Sequence, residues 1–139
     1  MNQIVRDVMR TPAKTLNSTD TVIQAANLMR DNDIGDVIVL DNNHLAGILT
    51  DRDIVVRALA EGRDATRTTV GEICSRVLTT IAPEDSVGQA VRLMRDKALR
   101  RLPVEHEGRV LGIVTLGDIA VARDHKSALA EISAAPPNV

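Results

Sequence analysis

Two stretches of the chain repeat one arrangement of chemically capable side chains. Gly47-Ile48-Leu49-Thr50-Asp51-Arg52-Asp53 and Gly112-Ile113-Val114-Thr115-Leu116-Gly117-Asp118 both read Gly-apolar-apolar-Thr-x-x-Asp. A short apolar strand leading through Thr into a helix exposes the helix N-terminus, whose free N–H groups and partial positive charge favour an anion such as phosphate. The aspartate is acceptor-only, so it suits the paired hydroxyls of a ribose. The same spacing is also close to a capping box, which stabilises a helix with no ligand present. Capping and binding can coexist, and the occurrence of the motif twice, each time after Gly-Ile, favours a functional role beyond the cap.

The remaining reactive residue types form no comparable arrangement. His44 and His106 fall at turn-like segments, His125 lies far along the C-terminal region, and no metal-ligand spacing joins them to Cys74. No Ser/His/Asp or Cys/His set is legible, so no catalytic residue, no metal and no required cofactor are assigned. Asp51 and Asp53 are two apart on a helix and do not face each other, which makes them first-turn acids complementing the helix dipole rather than an acid/base pair.

The elements that must hold the two motifs repeat with them. Val5-Arg6-Asp7-Val8 matches Val70-Gly71-Glu72-Ile73 without a gap, Leu28-Met29-Arg30-Asp31 matches Leu93-Met94-Arg95-Asp96, and Asp53-Ile54 matches Asp118-Ile119. Two copies indicate a paired module, with a cleft between its halves as the place to seek function. Each copy predicts a brief strand (Lys14-Thr15-Leu16 in the first) and then a helix with an i, i+3, i+4, i+7 stripe, Val22, Ala25, Ala26 and Met29 or Val87, Ala90, Val91 and Met94. A hairpin with a polar tip follows, and then a second helix. The first of these second helices is expected to run from Asp51 to Ala60 and stop at Gly62. Pro103 cannot donate to a ladder, so its strand is expected at an edge or paired only beyond it. The fold class is therefore α/β (α+β), two β-α-β-β-α repeats packed with pseudo-two-fold symmetry. Residues 1–61 form the first repeat, 62–69 a linker, 70–130 the second repeat and 131–139 a frayed tail.

Composition narrows the function. The chain has 139 residues, 44% hydrophobic and 26% charged, with no Phe, Tyr or Trp. A chain of this size buries roughly 68–70% of its unfolded surface, so it needs no disulfide or metal staple. Its core must be aliphatic, and the lack of aromatic rings removes the usual platform for stacking single-stranded bases. The net charge of −2, with both signs interspersed, offers no footprint for nucleic acid and no polybasic membrane segment. Arg100-Arg101 is too small a basic cluster for a duplex but suits a phosphate. Cys74 is the one cysteine; in the repeat register it falls on Met9, which makes it a packed side chain rather than a nucleophile. A lone cysteine and the lack of a signal-peptide core or transmembrane run lead to an expectation of a reducing cytoplasm.

These features together resemble the cystathionine β-synthase (CBS) domain, and the pair resembles a Bateman module, over about residues 4–122. The marks are Thr15-Leu16-Asn17-Ser18-Thr19-Asp20-Thr21-Val22, the Ala25/Met29 helix, the hairpin and Gly47-Ile48-Leu49-Thr50-Asp51-Arg52-Asp53-Ile54. The run from Thr50 through Gly62 is similar to that of stand-alone bacterial two-CBS proteins of the mycobacterial hypoxic-response kind. The resemblance implies a regulatory module that binds AMP, ADP, ATP or S-adenosylmethionine in the cleft between repeats. It implies that Thr50 and Asp53 hold one ribose and Thr115 and Asp118 the other. The adenine would lie against Ile34, Val37 and Ile38 in one half and Leu99, Leu102 and Pro103 in the other. Phosphates would meet a basic side chain. Arg100 and Arg101 supply it in the second repeat, whereas the first has Gly35 and Asp36 there and carries Arg52 inside its motif, so a single composite phosphate site is expected. Lys14 is a weaker candidate.

The leading expectation is thus an adenine-nucleotide sensor without catalysis, a homodimer read out by its own assembly or by a partner protein. The alternative is a structural or protein-interaction dimer whose nucleotide sites are vestigial, kept open by Asp36, Gly35 and the lack of an aromatic over the adenine. An enzyme is a distant third, and would need a catalytic group from elsewhere.

Overall fold

The computed structural model describes residues 3–76 and 79–123. The expected end of the last helix near residue 130, the tail at 131–139 and His125 lie outside them. In chain order the elements are α1 (Val5–Val8), β1 (Thr15–Asn17), α2 (Val22–Asn32), β2 (Asp36–Asp41), β3 (His44–Thr50), α3 (Asp51–Asp53) running into a π-helical segment (Ile54–Leu59), α4 (Val70–Ile73), β4 (Ser75–Arg76), α5 (Val87–Lys97), β5 (Arg101–His106), β6 (Arg109–Thr115) and α6 (Leu116–Arg123). The mixed α/β class and the two repeats of sheet plus helices agree with the sequence.

The chain divides into two compact units that are offset from the sequence repeats. One unit is Ala13–Leu78, and the other joins Met1–Pro12 to Thr79–Val139. In the continuous unit the sheet order is β1-β2-β3-β4, with β1 parallel to β2 and the other pairs antiparallel. Its core gathers Val22, Ala25 and Met29 of α2, Val37, Val39 and Leu49 of the hairpin, and Val70, Ile73 and Cys74 of the α4 region. The discontinuous unit repeats this with Val87, Ala90 and Met94 of α5 and Leu102, Val104 and Val114 of the β5–β6 hairpin, and takes Val5 from α1. Val5 and Val70, equivalent in the repeat register, therefore serve different cores. Residues 62–69 are folded against α2 in the continuous unit. The Thr68 carbonyl accepts from Val22 N–H at 2.9 Å and the Ala65 carbonyl from Ile23 N–H at 3.0 Å, so this stretch satisfies first-turn donors of α2.

Local chemistry explains the elements. Thr21 and Ser86 cap α2 and α5, each with a glutamine three residues on to complete the box. Each hairpin turns on two residues of positive φ, Asn42 and Asn43 in one and Glu107 and Gly108 in the other, a backbone that matches the strand twist. Pro103 is accommodated because its opposite residue, Ile113, turns both its N–H and C=O toward Arg10. In the first repeat the matching residue, Ile38, donates its N–H to the Lys14 carbonyl. Proline has none to give, and the parallel pairing that makes β1 a strand shrinks to the single bridge Ile81–Val104.

One expectation is corrected. The helix expected over 51–60 is α-helical only at Asp51–Asp53 and then π-helical over Ile54–Leu59, with Ala60 N–H bonded to the Val55 carbonyl five residues back. Ile54-Val55-Val56 is a run of β-branched side chains that crowd an α-helical turn, so the α form has little intrinsic advantage here. Gly62 does end the segment, at φ 70°.

Candidate functional site

Both Thr-x-x-Asp motifs sit where a hairpin's second strand passes into a helix, and both are built in the same way. In the continuous unit Thr50 N–H donates to Asp53 Oδ2 at 2.9 Å and Asp53 N–H donates to Thr50 Oγ1 at 3.2 Å. In the other unit Thr115 N–H reaches Asp118 Oδ2 at 3.2 Å and Asp118 N–H reaches Thr115 Oγ1 at 3.1 Å. These are reciprocal capping boxes. The residue before each hairpin braces the junction through its carbonyl, Gly35 accepting from Asp51 N–H at 3.0 Å and Arg100 from Leu116 N–H at 2.9 Å. Strand register then sets Asp36 beside Thr50 and Arg101 beside Thr115.

The strand glycines in these motifs permit close backbone approach. A Cβ on Gly47 would lie 2.3 Å from the Ser75 carbonyl oxygen, and one on Gly112 would lie 2.3 Å from that of Arg10. The segments that press in, Cys74-Ser75 and Met9-Arg10, correspond in the repeat register.

Each aspartate has an arginine partner that sequence reasoning missed. Arg57 Nε is 3.8 Å from Asp53 Oδ1, and its Nη1 donates to the Ile73 carbonyl at 3.2 Å and the Cys74 carbonyl at 3.5 Å. Arg10 Nε is 3.4 Å from Asp118 Oδ2. The i, i+4 spacing of Asp53 and Arg57 was a usable signal, whereas nothing in the sequence links Arg10 to Asp118. Asp53 is the more enclosed, its side chain 12% exposed against 26% for Asp118. Their capping contacts use Oδ2 in both, and Oδ1 of Asp53 faces Arg57.

The other expected site residues are distributed as follows. Arg52 and Arg100 are exposed, Arg101 is half-buried at the start of β5, and Lys14 is exposed beside β1. Val37 and Leu102 point into the cores of their units, with Ile34 and Leu99 packed against those cores. Ile38 and Pro103 alternate with them and therefore lie on the opposite faces of the strands, also buried. His44 and His106 are exposed at the hairpin ends. Burial pushes the Cys74 thiol above its ordinary pKa, the state of an inert packed thiol. A cavity of about 630 Å³ opens in the discontinuous unit between Ser86, Val87, Gly88 and Arg92 of the α5 start and Ala122 and Arg123 of α6, and no Thr-x-x-Asp residue lines it. Among the described residues no group of three or more His, Cys, Asp or Glu side chains could hold a metal, and no helix is long and apolar enough to cross a membrane.

Comparison with known proteins places this geometry in context. The family model for the CBS domain matches residues 5–59 and again 70–125. The CBS domain-containing protein YhcV of Bacillus subtilis is 40% identical over 117 residues, which cover 84% of this chain and 83% of that protein. Hypoxic response protein 1 of Mycobacterium tuberculosis is 37% identical over 116 residues, covering 83% of this chain and 81% of the relative. A crystal structure of Hypoxic Response Protein I, described with two coordinated zinc ions, superposes with a TM-score of 0.76 at 35% identity, over 85% of this chain and 97% of that one.

Proposed function

The chain belongs to the CBS-domain family as a tandem CBS pair of regulatory type, and from that premise we propose that it senses an adenosine-containing ligand at its Thr-x-x-Asp junctions and catalyses nothing itself. The observation that carries this reading is the duplicated junction: a carboxylate acceptor fixed by a capping box, built twice from the same backbone bonds. A fixed acceptor pair is what the cis-diol of a ribose requires. Thr50 with Asp53, and Thr115 with Asp118, hold the ribose in this reading, and the half-buried Ile34 and Leu99, each one residue before the carbonyl that braces its junction, offer apolar surface to an adenine. The ligand class comprises AMP, ADP, ATP and S-adenosylmethionine.

Sensing then works by linkage. A ligand that binds one conformation better shifts the population by that difference in affinity alone. At 100 times its Kd it stabilises the preferred state by about 2.7 kcal/mol. We assign the readout to a homodimer formed through Val55, Val56 and Leu59, which are exposed apolar side chains on the segment following Asp53, or to a partner protein that recognises the bound form, acting in the cytoplasm.

A second reading keeps the dimer and drops the ligand. It is supported by the work both aspartates already do, capping a helix and pairing with an arginine. Ultraviolet absorbance separates the two. The chain has no Trp or Tyr, so after equilibration with each ligand and ultrafiltration a retained band near 260 nm reports nucleoside directly. Retention that is lost in Asp53→Ala or Asp118→Ala supports sensing. No retention at millimolar ligand leaves a dimeric scaffold with capped helices.

A further inference from the structure

The cavity of about 630 Å³ in the discontinuous unit is lined by no residue of either Thr-x-x-Asp motif, and its lining is cationic. Arg92 of α5 and Arg123 of α6 bring guanidinium groups to it, beside Gln3, Ser86 and Gly88. Arg92 runs back along its helix, with Nη1 3.8 Å from where a Cβ on Gly88 would stand. No carboxylate among the described residues lines the cavity. The acids nearest in sequence are engaged elsewhere, Glu84 with Arg6 at 2.6 Å and Asp85 in accepting from Ala82 N–H at 3.0 Å.

The repeat register shows why the cavity opens here. Gln3 keeps the bond of its counterpart Thr68, its carbonyl accepting from Val87 N–H at 3.0 Å as that of Thr68 accepts from Val22 N–H. The side chains then diverge. Gly88 stands where the other unit has Ile23, so this point of the first turn of α5 carries no side chain. Ile23 N–H is also taken, at 3.0 Å, by the Ala65 carbonyl. Arg92 and Arg123 replace Asn27 and Ala58, while Ala122 replaces Arg57, the guanidinium that turns to Asp53. The exchanges thus clear space at one point and set cations around it.

Charge and size select the ligand. A pair of guanidinium groups matches the nearly dianionic phosphate of a monoester at neutral pH, and each fork presents paired donors to phosphate oxygens. The volume falls within the range of about 300–1,000 Å³ typical of small-molecule sites, so there is room for more than a bare anion. We propose that this cavity binds a small phosphomonoester, with Arg92 and Arg123 as its phosphate partners and the space over Gly88 for its organic part. The site is separate from both junctions and does not depend on the adenosine reading.

NMR of the isotope-labelled full chain, titrated with glycerol phosphate, tests this. The expected result is a saturable shift of the Gly88 amide and of the Arg92 and Arg123 Nε–H signals, with weaker binding of inorganic phosphate and none of glycerol. Arg92→Gln and Arg123→Gln should each weaken binding at least about tenfold, the value of one charge-assisted hydrogen bond. Gly88→Ile, which installs the residue of the other unit, should block it. Both arginines are exposed, and a Cβ on Gly88 meets nothing nearer than 3.7 Å, so these variants keep the fold, which the same spectra verify. The proposal is overturned if the shifts do not saturate, if they survive both arginine substitutions, or if they spread equally over the exposed Arg6, Arg63 and Arg67. Binding lost in Asp53→Ala or Asp118→Ala but untouched by Arg92→Gln would move the phosphate to a junction and overturn it as well.

Discussion

Arg57 stands four residues beyond Asp53 and ties its carboxylate to the end of α4, with Nε 3.8 Å from Asp53 Oδ1 and Nη1 bonded to the Ile73 carbonyl at 3.2 Å. The candidate ribose acceptor is thereby wired to a second element of its own unit. The guanidinium side chain is 51% exposed, so solvent screens the ion pair and the carbonyl bonds contribute most of its effect. Arg57→Ala should lower stability by about 1–2 kcal/mol in urea unfolding. A cycle with Asp53→Asn should give a coupling of only about 0.2–1 kcal/mol; a coupling near zero would show that the pair does not act as a unit.

The glycines of the junction strands should not tolerate a methyl group. Gly47→Ala and Gly112→Ala each drive a Cβ to 2.3 Å from a backbone oxygen, and we expect losses of about 1–3 kcal/mol or more in thermal or urea unfolding. Gly88 in α5 is the contrasting case. Its Cβ would meet nothing nearer than 3.7 Å, and Gly88→Ala should raise stability by about 0.5–1 kcal/mol through helix propensity.

Cys74 gives a pH prediction. Burial raises its thiol pKa in the folded chain, so between the unfolded and folded values the folded state holds more protons. That contribution is complete below the unfolded value, about 8.5, and is lost as pH rises through the folded one. Stability of the wild type should therefore fall faster above about pH 8.5 than that of Cys74→Ala. Thiol labelling of the native protein should be slow and become fast on unfolding; rapid native labelling would contradict the packed placement.

Leu59 is 72% exposed beside Val55 and Val56. If this face forms the proposed homodimer, Leu59→Glu should shift sedimentation toward the monomer while leaving the circular dichroism spectrum unchanged. A wild-type protein that is monomeric at tens of micromolar would remove the dimer from the proposal.

Much of this was legible in the residues. The unbroken register of Leu28-Met29 with Leu93-Met94, the helical stripes and the polar hairpin tips specify the helix and hairpin of both copies, because local periodicity encodes local structure; the expected opening strand forms in the first copy and is a single bridge in the second. Thr50 and Asp53 were readable as a cap from spacing alone, since a capping box closes over three residues. What escaped was long-range or cooperative. Arg10 meets Asp118 more than a hundred positions away, and no local pattern marks such a pair. The π-helical Ile54–Leu59 segment departs from an α-helix by one residue per turn, which Ile54-Val55-Val56 hints at without dictating. The α1 segment reads as the start of the first repeat, yet its Val5 joins the core of the second; sequence similarity fixes which residues are alike but not which copy they complete.

That last arrangement bears on how the chain is made. The continuous unit has all its strands and its α4 by residue 78 and can close as soon as that length has left the ribosome, at the usual N-terminal-first order of domain folding. The described residues up to Pro12, synthesised before any of it, belong to the other unit and have no core to enter until Val87, Leu102 and Val114 have followed. These residues, made before the continuous unit, are thus among the last to find their place, through contacts of long sequence separation that close slowly, and a nascent chain arrested after residue 78 would carry a Val5 whose core partners are not yet made.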